Sequence, residues 1–556
     1  MTRRQWLPML YLGLALLAVV VLLPTALRPP PDEASQSAEF SPDAPPDDDP
    51  ETIIQSLQQA GSRTAGATGR DGPATTTTTL AAVKAPSRGQ CYGDPPRQFD
   101  SEYAPPCAAA FVGDNGGATA PRGVTATEIR IGLSPDLSGQ TFCGEILDHP
   151  TDGEDGARRT YRVLMNFFNK NLELYGRKMR WFFACAPSGT AGEAAERARG
   201  TRMAEEYEAF ASIGEFSGYV AEEATRRQLI HFANIVVAAD KFFADRSPYL
   251  WGSRTNATKA VAFGSTYLCN RLNGNTPFPT GDARIDYSQP RKFGILALDD
   301  GSTNVSVNDM VASLKRKCGV DPPVARYTLD ENNAQGIASA MASLRANDVT
   351  TVVFMGEIIS LPFHAQAADR AQYYPEWYLM GFGGFETAIE LTRTVSPTQW
   401  QNAFGFSFEE VARRPAESPC YRAYKSIDPQ NDPENSVCNI LFHSMTFLFG
   451  AIQEAGPDLN VDTFQRGLFS AFTRPPSPAW TMAGGFGPTD YTYGDYAVEL
   501  FYNPTAIHPD GAPGAYVYPR CGVRFLETEI PTGQPQYMFQ DNPDNITNGN
   551  DAGPGC

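Results

Sequence analysis

From residue 128 onward the chain repeats one unit, an apolar strand followed by residues at helical spacing, and this repetition limits the fold more than any other feature. Glu128-Ile129-Arg130-Ile131-Gly132-Leu133 alternates polar and apolar residues and runs into the turn-rich Ser134-Pro135-Asp136-Leu137-Ser138-Gly139. Ala157, Tyr161, Leu164 and Phe168 then share a helix face, and residues 178–185 form a second strand. A helix carrying Met203, Tyr207 and Phe210 leads to a short strand at 211–214 that stops at Glu215-Phe216-Ser217-Gly218. Another helix and the strand Ile235-Val236-Val237 follow. The pattern restarts at residues 292–298, with Val307, Val311, Leu314 and Cys318 on the next helix face. Strands at 324–328, 349–355 and 377–381 continue it. Strands that alternate with helices pair in parallel, because each crossover helix returns the chain to the same end of the sheet. Two consecutive α/β lobes are therefore expected. Leu441, Met445, Leu448 and Ile452 then mark a long buried helix ended by Gly456-Pro457.

The first 122 residues have a different character. Arg3 and Arg4 precede residues 6–27, which carry no charge until Arg28; that is about 22 residues, or roughly 33 Å as a helix, enough to span a bilayer. The run ends Leu23-Pro24-Thr25-Ala26-Leu27 rather than in an Ala-x-Ala cleavage pattern, so both an uncleaved anchor and a removed signal peptide stay open. Either way the basic flank keeps the N-terminus inside and sends the rest out. Residues 29–61 hold eight acidic residues and no Lys or Arg, and the Pro-, Gly- and Thr-rich sequence beyond them is expected to continue as a disordered stalk to residue 122.

The ten cysteines, Cys91, Cys107, Cys143, Cys185, Cys269, Cys318, Cys420, Cys438, Cys521 and Cys556, all follow the apolar segment, which makes disulfides the expectation. No Cys-x-x-Cys occurs and the five histidines are scattered, so no metal and no cofactor is expected. Sequence neighbours are expected to pair, Cys91 with Cys107 through to Cys521 with Cys556. The net charge of −18, from 63 acidic and 45 basic residues, excludes a nucleic-acid partner that would need clustered Lys and Arg. Gly214-x-x-Ser217-Gly218 lacks the nucleophile spacing Gly-x-Ser-x-Gly, and no His-Glu-x-x-His or phosphate loop occurs. A non-enzymatic binding protein is expected.

Residues 129–139, Ile213-Gly-Glu-Phe-Ser-Gly218 and Lys292-Phe-Gly-Ile-Leu-Ala-Leu-Asp-Asp-Gly301, with the crossover Pro248-Tyr-Leu-Trp251 between them, together resemble the extracytoplasmic solute-binding proteins of branched-chain amino acid and amide ABC transporters. The resemblance covers about residues 124–526. It implies a type I periplasmic-binding fold: two Rossmann-like lobes with parallel sheets, three hinge crossings and a small polar solute held between the lobes. It divides the chain into an anchor or signal peptide at 1–28, a stalk at 29–122, lobe one at 123–253, lobe two at 254–381, a return to lobe one at 382–480, C-terminal strands of lobe two at 481–526 and a tail at 527–556. By the same resemblance, solute contacts fall at Asp136 and Ser138, at Ser217 and Tyr219, and at Ala239 and Asp240 in lobe one. Lobe two contributes Asp300, Asn304, Glu357 and Phe382. Amino acid binders carry a carboxylate in the last of these loops, where this chain has Gly383; Glu357, Asp240 or Glu386 are the substitutes for holding a cationic or amide-bearing solute. The implied partners are the solute, an ABC permease and the membrane through the N-terminal helix. The alternative is a membrane-tethered sensor or surface scaffold that uses the fold without transport.

Overall fold

Alternating burial along the first strand orients lobe one. In β1 (Glu128–Leu133) Ile129, Ile131 and Leu133 are buried, and each can face a helix layer because the neighbouring strands pair with β1 on both sides. The computed structural model describes residues 91–117, 121–134, 142–214, 216–328, 333–381, 385, 388–473, 481–547 and 555–556, which all belong to one compact unit beginning at residue 83. The apolar segment 6–27 and the stalk up to residue 90 lie outside the described residues. Among the described residues no helix is long and apolar enough to cross a membrane.

Lobe one is a sheet of β1, β2 (Gly144–Ile146), β3 (Lys178–Phe183), β4 (Ala211–Ile213), β5 (Ile230–Ala233) and β6 (Leu250–Gly252), in the order β2-β3-β1-β4-β5-β6. Only β2 runs antiparallel. Its helices are α1 (Gly156–Asn171), α2 (Gly192–Glu205), α3 (Gly218–Arg226) and the short α4 (Asp240–Ala244). Lobe two begins with α5 (Ala257–Tyr267) and contains β7 (Phe293–Leu298), α6 (Gly301–Cys318), β8 (Val324–Tyr327), α7 (Asn333–Ala346), β9 (Thr351–Met355), α8 (Leu361–Arg370), β10 (Glu376–Met380) and β11 (Ala403–Ser407). The chain then returns to lobe one for α9 (Pro419–Lys425), α10 (Asn435–Glu454) and α11 (Val461–Ala471). It finishes in lobe two with β12 (Ala497–Ile507), β13 (Pro513–Val517) and β14 (Arg524–Phe525), giving the order β13-β12-β11-β10-β9-β7-β8 with β14 on β12. α10 covers the first sheet: Phe449 stacks on Trp181 at 5.3 Å between ring centres.

Five boundaries differ from the sequence reading. The strand expected at 235–237 lies instead at Ile230–Ala233, and residues 234–238 turn, with the Val236 and Ala238 amides bonded back to Asn234 and Ile235. Lobe two does not end at 381: β11 pairs in parallel with β10, and Gly405, at φ +153°, permits an approach to the Leu379 carbonyl that any Cβ would obstruct. The return to lobe one therefore starts beyond Phe408, and residues 481–493 still belong to lobe one, where Met482, Phe486 and Tyr493 are buried. The tail is not free, since Ile530, Met538 and Ile546 are buried in lobe two and Tyr518 and Ile546 exchange backbone hydrogen bonds. The stalk expectation also fails from Cys91 onward: Phe99 sits edge-on against Phe167 and Phe168 in the lobe-one core, and Tyr103 is fully buried.

All ten cysteines are closed as the five neighbour pairs, Cys91–Cys107, Cys143–Cys185, Cys269–Cys318, Cys420–Cys438 and Cys521–Cys556. Each joins parts of one lobe, so none links the two lobes covalently.

Candidate functional site

Three of the polar residues expected to touch a solute are committed to helix N-termini, which leave backbone N–H groups without intrahelical partners. Ser217 caps α3: its hydroxyl accepts the Val220 amide at 3.1 Å and donates to Glu196 Oε2 at 2.5 Å. Asp300 caps α6, accepting the Ser302 and Thr303 amides at 2.9 and 3.0 Å and the Thr303 hydroxyl at 2.6 Å. Glu357 accepts the Ser360 amide at 2.8 Å and the Tyr327 hydroxyl at 3.3 Å. Asn304 donates to Asp299 and accepts from Arg326. Ala239 occupies the N-cap position of α4, and Tyr219 is exposed with the Arg197 guanidinium 5.0 Å from its ring centre. Asp136, Ser138, Phe382 and the alternative Glu386 lie outside the described residues. Losing a cap with several bonds typically costs about 1–2 kcal/mol, so Asp300→Ala is expected to lower stability by that amount, as read from its urea midpoint. A change below the error of the titration would show the cap to be dispensable.

Asp240 belongs to the hinge. Its carboxylate accepts from Asn256 at 3.3 Å, and Asn256 also reaches the Thr492 hydroxyl at 3.0 Å. Next to it Lys259 donates to Asp490 at 2.7 Å, to the Thr492 carbonyl at 2.7 Å and to Asp495 at 2.5 Å. Burial raises Asp495 to about 6 despite the attraction of Lys259, and the like charge of Asp490 adds to the rise. The unfolded chain loses this proton near the ordinary value of 3.8, the folded chain near 6. The folded state therefore holds the extra proton between those values, and the stabilisation present at low pH declines as pH rises from about 4 to about 6. In Asp495→Asn this part of the pH dependence should vanish, which urea midpoints measured across that window will read.

A cavity of about 140 Å³ lies where the crossings meet both lobes. Arg254, Glu409, Glu410, Arg413 and His443 line it from the crossings and lobe one; Ile389, Glu390, His508 and Asp510 line it from lobe two. Arg254 pairs with Glu409 at 2.7 Å, both side chains about nine-tenths buried. Arg413 donates to Glu102 at 2.8 Å, and the Glu410 carboxylate accepts from the Tyr103 hydroxyl at 3.1 Å. His443 Nε2 faces that carboxylate at 3.8 Å. Burial holds the His443 imidazole below its ordinary value, with Glu410 opposing the shift. Burial disfavours the Arg413 charge, yet Glu410 and Glu102 outweigh it and raise the group. Opposite charges are paired around the cavity, an arrangement suited to orienting a polar molecule. None of these lining residues was singled out from sequence. The available signals were the charges Glu409-Glu410 and Arg413-Arg414 directly after an apolar strand, and His443 inside an otherwise apolar helix.

No protein-family model matches the chain, and no curated protein does. Among solved structures, a periplasmic binding protein from Burkholderia mallei matches with a TM-score of 0.51 at 12% identity, over 73% of this chain and 97% of that one. A leucine-, isoleucine-, valine-, threonine- and alanine-binding protein from Brucella ovis, in a closed conformation, gives 0.49 at 15% identity over 73% and 97%. A solute-binding protein of an ABC transporter from R. palustris, in complex with 4-hydroxybenzoate, gives 0.49 at 10% over 70% and 95%. Two sheets in sequence, helices that return to the first lobe and a final pair of antiparallel strands in the second, together with the likeness to the Burkholderia structure, identify this chain as having the type I periplasmic-binding fold.

Proposed function

We propose that this chain is an extracytoplasmic solute-binding protein that captures a small polar molecule between its lobes and delivers it to an ABC-type permease. The observation that carries this reading is the cavity bounded by both lobes and by the crossings between them, lined with buried charged groups. Parallel α/β sheets bind ligands outside the carboxyl ends of their strands, and closing two such edges on each other buries a solute from both sides. Phe216 and Tyr219 of lobe one, and Val305, Ile359 and Leu391 of lobe two, are exposed in the segments that follow strand ends, so the solute is given an apolar face as well as polar groups. In this reading Ser217, Asp300 and Glu357 shape the loops at the cleft mouth, while Arg254, Glu410 and His443 meet the polar end. Five closed disulfides and no free cysteine support a place outside the cytoplasm.

The test is a library of amino acids, amides and small aromatic acids, followed by X-ray scattering and thermal melting. A true ligand at 100 times its Kd adds about 2.7 kcal/mol of stability and should also compact the particle. A library in which nothing compacts or stabilises the protein would sink the proposal.

A further inference from the structure

The disulfide-closed segment 91–107 precedes both sheets, yet its side chains end at the hinge. Phe99 anchors it in lobe one, with ring centres 5.1 and 5.9 Å from Phe167 and Phe168. Gln98 donates to the Asn171 carbonyl at 2.6 Å, and Gln453 of α10 donates to the Pro106 carbonyl at 2.9 Å. From this fixed base Tyr103 extends between His443, 4.5 Å between rings, and residues 409–413, which leave β11: its hydroxyl donates to Glu410 there and accepts the amide of Met482, a lobe-one residue, at 2.8 Å. Glu102 takes the Arg413 guanidinium three residues further on. The same stretch of chain is held from the other lobe as well, because Arg524 of β14 donates to the Phe408 and Glu409 carbonyls, and Glu409 pairs with Arg254 of the first crossing.

We infer that the Cys91–Cys107 segment is a hinge clasp, in which Glu102 and Tyr103 act as positioning residues that set the angle between the lobes through Arg413 and Glu410. The burial of the contacts carries it. The Arg413 side chain is 4% exposed and Tyr103 is fully buried, so the donor side of both bonds is shielded from water, while the accepting carboxylates of Glu102 and Glu410 remain 31% and 25% exposed. Residues 409–413 leave β11 of lobe two, so any rotation of the lobes about the crossings must move Glu410 and Arg413 against a segment rooted in lobe one. Glu410 and Arg413 also line the cavity, so the clasp acts on the wall that the proposed solute meets. In this respect the inference rests on the solute-binding reading.

Spin labels at Lys170→Cys in lobe one and Arg345→Cys in lobe two, both exposed, report the lobe separation by pulsed electron resonance in the full chain, whose own cysteines are all disulfide-bonded. The Tyr103→Phe/Glu102→Gln variant should broaden the distance distribution roughly twofold or shift it by several Å, as expected when a hinge loses a fixed stop. Tyr103→Phe alone keeps the ring packing and should give a smaller change in the same direction; it also leaves the buried Met482 amide without its acceptor, so its melting temperature should fall by the modest amount expected for one unmade hydrogen bond, well short of the loss that follows removal of the ring from the core. Distributions that coincide with the parent in both variants overturn the clasp. Failure of the solute-binding reading would be read separately, as a parent distribution that no compound of the library narrows.

Discussion

Glu376→Ala should destabilise lobe two by about 3–5 kcal/mol, among the largest effects expected of any single substitution in this chain. Glu376 starts β10 with no exposed side-chain surface, and Arg291, equally buried, binds it through two parallel hydrogen bonds of 2.8 and 2.9 Å. The Thr351 hydroxyl and the Phe278 amide supply two more, at 2.5 and 2.6 Å. Truncation to Ala leaves a buried guanidinium without its counter-charge and an amide and a hydroxyl without an acceptor. An uncompensated buried charge costs far more than the intact pair contributes, because the pair itself only offsets its own desolvation. Calorimetry or urea titration of the variant decides it; a loss under 1 kcal/mol would show that water reaches Arg291 and that this part of the core is less closed than it looks. A substitution of both partners by apolar residues should recover part of the loss.

Removing the Cys269–Cys318 bridge by paired Ser substitutions should cost about 4 kcal/mol on the chain-entropy estimate for a loop of its size. The bridge joins the helical turn after α5 to the end of α6 and closes a separation of 49 residues that contains β7. The unfolded chain with this link has far fewer arrangements to lose on folding, whereas the folded helices already pack together. The loss should appear in the unfolding midpoint of lobe two, while solute affinity changes little because the bridge lies within one lobe. A variant as stable as the parent would indicate that the denatured state keeps these helices together.

Ser217, Asp300 and Glu357 stand at strand ends, as expected, but each follows a strand and precedes a helix, and that position exposes backbone N–H groups that a nearby hydroxyl or carboxylate satisfies first. Phe142 lies under Arg158, whose guanidinium is 3.6 Å from its ring centre. Asp240 accepts from Asn256, 16 positions later, and Asn256 is in turn held by Thr492, 236 positions beyond it.

Sequence by itself determined the two α/β lobes and their order, because strand and helix periodicity is a local property of the chain; ten cysteines after an apolar leader pointed to disulfides, and the structure decided that they close as neighbour pairs. Only the tertiary structure decided where the chain crosses between lobes, that the N-terminal loop and C-terminal tail are packed, and which charges line the cavity. Those features rest on pairs such as Tyr103 with Glu410 and Glu102 with Arg413, 307 and 311 positions apart. Contacts at that separation leave no periodic mark on either segment: a lone Tyr beside a Glu suits a stalk as well as a buried clasp until the fold brings its partner within hydrogen-bonding distance.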